Sequence, residues 1–181
     1  MRITNHYGTE QNWGKRQTLI EPLIGQTTTC ALIAQNRVAK MSDSIPSLGM
    51  VRAQVREVTI EPGKPWNAKQ LAKVRNFSAA DLFNPEGRKE LQPVPYQLRV
   101  SYACDQAGCP GHEPSLIDWE LGVVGLRWPR LYGQDTARMI LEKYRRTLDD
   151  SLNNVHLIVG NQHQHRNSFS ICGIWSPKRT T

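Results

Sequence analysis

Cys104-Asp-Gln-Ala-Gly-Cys109-Pro-Gly-His112 places two thiols and an imidazole on one short, turn-forming stretch. Soft sulfur and borderline nitrogen donors at such spacing suit a zinc ion, which takes Cys and His ligands in a tetrahedron. Gly108 and Gly111 permit the positive-φ turns that aim donors inward, and Pro110 stiffens the loop between them. The spacing Cys-x4-Cys-x2-His supplies Cys104, Cys109 and His112, so one further donor is required. Cys30 and Cys172 are the sulfur candidates, His156 and His165 the nitrogen candidates, and Asp118 the nearest oxygen. A structural ion is favoured over a catalytic one, because only Glu113 lies nearby as a general base. The zinc deaminase signature is absent.

Three further groups carry chemistry. Asp118 and Glu120 bracket Trp119; on a strand they would share a side and hold a divalent cation, whereas on a helix they would diverge. Against a nuclease site stands the plainer reading of a surface carboxylate pair around a buried Trp119, or of ion pairs to Arg127 or Arg130. His163 and His165 lie on a polar segment with Asn161, Gln162 and Gln164. They suit acid–base work or hydrogen bonds to phosphates and base edges, although an ordinary polar loop explains them as well. Finally, Arg52, Arg56, Arg99, Arg145, Arg146 and Arg166 are placed to contact phosphates. Trp13, Trp66, Trp128 and Trp175 lie near basic residues, an arrangement that can stack on unpaired bases and also occurs in ordinary cores.

The composition frames these candidates. Lys and Arg number 23 against 16 Asp and Glu, a formal net charge of +7, which favours polyanionic partners through counterion release. Apolar residues make up 39% of the 181, enough for one folded domain. No run of eighteen apolar residues suggests a membrane span. The start, Met1 to His6, does not resemble a secretory leader, so a cytoplasmic location is expected. Four cysteines in that setting argue against a disulfide framework. Cys30 and Cys172, in apolar runs, read primarily as small buried hydrophobes.

The elements that must position these groups follow from periodicity. An irregular arm is expected over about 1–26, a first strand over Thr27 to Ala34, and a loop over Met41 to Gly49. An alternating strand starts at Met50 and needs a bulge near Glu57. A short helix spans Ala68 to Val74, Ser78 caps another turn, and a polar linker covers 84–93. Pro95 to Ala103 alternates most clearly and leads directly into the Cys/His turn. Leu116 to Trp128 fits helix or strand. Ala137, Ile140, Leu141, Tyr144, Leu148 and Leu152 stripe one long amphipathic helix over about 135–152. Val155 to Val159 and Ser168 to Trp175 form a C-terminal β-hairpin.

The fold class expected is α+β, a single domain with a mostly antiparallel sheet and the Cys/His knuckle at 104–112. The function expected is a non-enzymatic nucleic-acid-binding accessory protein of prokaryotic type, with a zinc-fastened knuckle and Arg/Lys contacts to DNA or RNA. The alternatives are a metal-dependent nuclease or hydrolase using Asp118, Glu120, His163 and His165, and a protein-interaction subunit of a larger nucleoprotein assembly. No Gly-rich phosphate loop, nucleophile elbow or dinucleotide fingerprint is present.

Overall fold

The alternation between Pro95 and Ala103 becomes one stave of a barrel. In the computed structural model, which describes residues 23–39, 44–162 and 164–179, strand β2 spans Tyr96–Cys104. Leu98, Val100, Tyr102 and Cys104 are buried along it, as period two requires of one face. Strand β1 (Leu48–Pro62) pairs antiparallel with β2, and its register shifts between Val55 and Glu57. That bulge keeps Val51, Ala53 and Val58 all inside, so the imperfect alternation around Glu57 is resolved as expected. A two-residue β3 (Ser115–Leu116), β4 (His156–Gln162) and β5 (His165–Trp175) complete the sheet.

The sheet closes on itself in the order β1-β2-β3-β5-β4. All its pairs are antiparallel except β3 with β5. The expected mixed architecture, mostly antiparallel sheet and C-terminal hairpin are therefore present. The expected long amphipathic helix is present in part, over Thr136–Thr147, and closure of the sheet buries its inner face against itself. Val51, Leu98, Val100, Tyr102, Leu157, Val159 and Ile171 fill that interior.

Thr27 to Ala34, expected as a strand, is instead the start of helix α1 (Thr29–Val38). The threonine run acts as punctuation: the Thr28 hydroxyl accepts from Ala31 N at 3.1 Å and caps the helix. Leu32 and Asn36, one turn apart, are its buried face. Leu32 packs so closely on β1 that a Cβ at Gly49 would lie 2.7 Å from its Cδ1.

Between β1 and β2 the chain makes an excursion over residues 63–95 that carries helix α2 (Ala68–Ser78). Asn67 and Gln70 form a reciprocal capping box at its start. Ser78, expected to open a further turn, closes this helix, and the Asp81 carboxylate then receives the N–H groups of Phe83 and Asn84. The excursion returns through a neck where Gly63 N donates to Pro95 O at 2.7 Å. A Cβ on Gly63 would lie 1.9 Å from the Val94 carbonyl oxygen, so no other residue fits without moving backbone. Gly63→Ala should destabilise the fold by about 2–3 kcal/mol, as overpacking does. Gly122→Ala should instead raise the melting temperature, since its Cβ would meet nothing closer than 3.8 Å and it sits within a helix. Paired thermal melts check both signs.

Helices α3 (Trp119–Arg127), α4 (Pro129–Tyr132) and α5 (Thr136–Thr147) join β3 to β4. The ambiguous stretch from Leu116 is thus strand at Leu116 alone and helix from Trp119. Helix α5 buries Ile140 and Tyr144, with Leu148 at its C-cap. It stops short of the expected Leu152 because Asp149 Oδ1 captures both the N–H and the hydroxyl of Ser151. Among the described residues, no helix is long and apolar enough to cross a membrane. Residues 1–22 of the expected arm lie outside the described residues, as does most of the expected loop's start, 41–43.

Candidate metal centre

Strand β2 delivers its last inward side chain, Cys104, to one mouth of the barrel. The chain then reverses through a turn in which Cys109 N donates to Gln106 O at 3.1 Å. Gly108 (φ 72°) and Gly111 (φ 93°) supply the left-handed conformations that let it do so. His112 returns alongside Tyr102, exchanging two backbone hydrogen bonds of 2.9 Å with it. Gly111 N also points at Cys109 Sγ, 3.4 Å away.

The fourth corner comes from far away in the sequence. Cys30, in the first turn of α1, has its Sγ 3.6 Å from Cys104 Sγ and 3.3 Å from His112 Nε2. His112 Nε2 is 3.3 Å from Cys109 Sγ and 3.6 Å from Cys104 Sγ, and the two sulfurs Cys104 and Cys109 are 3.6 Å apart. All four donor atoms lie within 4.8 Å of one another, close enough to hold one metal ion. None of these cysteines is in a disulfide. The reading of Cys30 as merely a small buried hydrophobe is therefore corrected.

Polar contacts fix the helix to the loop around this cluster. Thr29 Oγ1 and the buried Tyr102 hydroxyl share a hydrogen bond of 2.8 Å, and the Thr28 hydroxyl donates to Gln106 Oε1 at 2.9 Å. The Tyr102 ring lies 5.3 Å from that of His112. Burial raises the Cys104 thiol, but the N–H groups of Cys30 and Gln106 and the neighbouring His112 bring it to about 6. Burial, and then Cys104 and Cys109 beside it, push Cys30 up to about 12. Crowded sulfurs thus resist sharing negative charge, and a divalent cation reverses that by ionising its thiol ligands.

The other donor candidates sit elsewhere. His156 hydrogen-bonds through Nδ1 with Asn154 O at 3.0 Å and lies against Trp175 with ring centroids 5.0 Å apart. Burial lowers its pKa. Cys172 is half-buried on β5, where burial raises its thiol. His165 is exposed at the start of β5, and His163 lies outside the described residues. Asp118 precedes α3 and is buried, whereas Glu120 is exposed in its first turn and pairs with Lys143 Nζ at 2.6 Å. Neither Arg127 nor Arg130 is that partner. Trp119, expected to be buried between the carboxylates, is 79% exposed. Among the described residues, Cys30, Cys104, Cys109 and His112 form a metal-ligand group, and Asp118, Glu120 and His165 do not join one.

The arginines divide by position. Arg52, Arg56 and Arg99 lie on outward positions of β1 and β2, with Arg99 opposite Thr59. The Arg56 guanidinium rests on the knuckle, where a Cβ at Gly111 would meet its Nη1 at 3.1 Å. Arg145 donates to Val58 O at 3.3 Å, which lays it over the far part of β1. Arg146 is exposed next to it on α5, and Arg166 is half-buried at the start of β5.

Fold and site together define a small closed β-barrel with helical connections and a Cys3His cluster at one mouth. Residues 25–181 match a family described as a domain of unknown function, DUF8757, and the chain belongs to that family. Neither a curated protein nor a solved structure matches it.

Proposed function

We propose that the protein is a nucleic-acid-binding barrel whose binding wall is held in shape by a structural zinc ion. A tetrahedron with Zn–S of about 2.3 Å and Zn–N of about 2.0 Å has S–S edges of about 3.8 Å and S–N edges of about 3.5 Å. The S–S separations of 3.6 Å and S–N separations of 3.3–3.6 Å suit that ion. Four protein ligands leave no open position, which favours a fastening role over a catalytic one.

The observation that carries the nucleic-acid reading is Arg56 lying against Gly111. It puts a phosphate-binding group directly on the metal-fastened loop, in line with Arg52 on β1, with Arg99 further along β2 opposite Thr59. Small five-stranded barrels of the oligonucleotide-binding type bind on the face of their second and third strands and adjoining loops, and of these arginines only Arg99 lies on the second strand. Fold alone does not imply that use, so the arginines and the net charge of +7 are the support. A protein partner within a nucleoprotein assembly is a second reading, favoured by Leu82 and Phe83, which are 92% and 88% exposed on the excursion.

Two measurements on the purified protein test the reading. Elemental analysis should give one zinc per chain, and a mobility shift should show DNA or RNA binding that weakens steeply from 50 to 200 mM salt. Absence of metal removes the zinc part. Absence of binding to any nucleic acid at low salt removes the rest.

A further inference from the structure

We infer that the cleft at the other end of the barrel seats one unstacked nucleobase of a bound single strand. This rests on the nucleic-acid reading and names the form of polymer it selects. The cleft, of about 530 Å³, lies between the excursion and the junction of β3 with α3. Its size falls in the range of small-molecule sites, about 300–1,000 Å³. Trp66 and Tyr96, both half-buried, supply aromatic surface, and buried Leu116 and Leu121 supply an apolar base.

The polar lining carries both signs: the buried Asp118 carboxylate lies in the same wall, beside donors that suit the edge of an unpaired base. Asn67 and Gln70 spend their amide oxygens on each other's backbone N–H in the capping box, which leaves their NH2 groups as donors. Gln97 is fixed by a 2.8 Å hydrogen bond to Ser115 Oγ, and Lys64 adds a cation for a phosphate. A base inside a duplex keeps both faces stacked and its pairing edge occupied, so only a single strand or a free nucleotide offers what this cleft takes. Stacking on an aromatic side chain is sequence-tolerant.

Fluorescence anisotropy with a labelled single-stranded 12-mer, the matching duplex and AMP as competitor tests this. The wild-type protein should prefer the single strand by tenfold or more. Trp66→Ala should lower single-strand affinity by about tenfold while leaving duplex affinity unchanged, and Trp66→Phe should restore most of the loss. Competition by millimolar AMP, lost in Trp66→Ala, would place a free nucleotide in the cleft. If wild type binds nucleic acid and Trp66→Ala keeps both its single-strand affinity and its preference, the inference is wrong and the nucleic-acid reading stands. If wild type binds no polymer yet AMP quenches its tryptophan fluorescence in a Trp66-dependent way, that reading falls and the cleft keeps its ligand class. Binding of neither overturns both.

Discussion

Stripping the metal from the purified protein with a strong chelator should lower its melting temperature by about 10–15 °C. The magnitude follows from where the ligands sit in the chain. Cys104, Cys109 and His112 close only a short loop, but Cys30 is 74 residues from Cys104. A cross-link of that span removes loop-closure entropy from the unfolded chain worth about 4 kcal/mol. In a domain of this size each kcal/mol shifts the midpoint by about 2–4 °C. The same reasoning separates the ligands. Cys30→Ser should forfeit most of the metal-dependent stabilisation and lower zinc stoichiometry, whereas Cys172→Ser should change neither. Scanning calorimetry with and without chelator, beside elemental analysis of both variants, checks this. Equal metal content in Cys30→Ser and wild type would show that α1 does not contribute the fourth ligand.

Three of the four members of the Cys3His group were legible in the sequence because they are local. A turn with Gly108, Pro110 and Gly111 brings Cys104, Cys109 and His112 together by short-range geometry alone. The fourth was legible only as a short choice among residues, since which distant donor arrives is decided by tertiary packing. The signal that singles out Cys30 is Thr28 before it. The run Thr28-Thr29-Cys-Ala-Leu-Ile-Ala reads as a β-branched strand by composition, yet the Thr28 hydroxyl caps a helix by accepting a hydrogen bond from Ala31 N. Asn36 then secures the helix at its far end, donating to Leu32 O and to Pro46 O, both at 3.0 Å. Had the strand formed, alternate side chains would have pointed to opposite faces, and Thr29 and Cys30 could not both have met the Tyr102 and Cys104 neighbourhood as they do.

The barrel was legible as strands and not as a barrel. Period-two burial marks β2 plainly, and the bulge near Glu57 is visible because one residue too many separates Val55 from Val58. Closure depends on β3, only two residues long, pairing with β2 on one side and parallel to β5 on the other through Leu116 and Ile171. A two-residue strand carries no periodic signal. Helix α5 shows the converse limit: its apolar stripe continues to Leu152, but the Asp149 side chain ends it by a local hydrogen bond that hydrophobic spacing does not register.

Replacing Arg52, Arg56 and Arg99 together by alanine should weaken nucleic-acid binding about a hundredfold at 0.1 M salt. Three phosphate contacts to a single strand contribute a slope of about −2 in log affinity against log salt, about −0.7 for each. Their loss should therefore flatten the salt dependence by that amount, and mutant and wild type should converge as salt approaches 1 M. Arg138→Ala is the matched control, because its guanidinium is engaged on the surface by Asp135 at 3.3 Å and Glu142 at 2.9 Å. An unchanged slope in the triple variant would show that these arginines do not face phosphate. Arg56 adds a link between the two halves of the proposal. Its guanidinium rests on Gly111, so a chelated loop no longer fixes where it lies. Chelation should then weaken binding more in wild type than in Arg56→Ala, and a double cycle of metal against Arg56 reads that coupling directly. Equal losses in both would mean that the metal fastens the fold without organising its phosphate contacts.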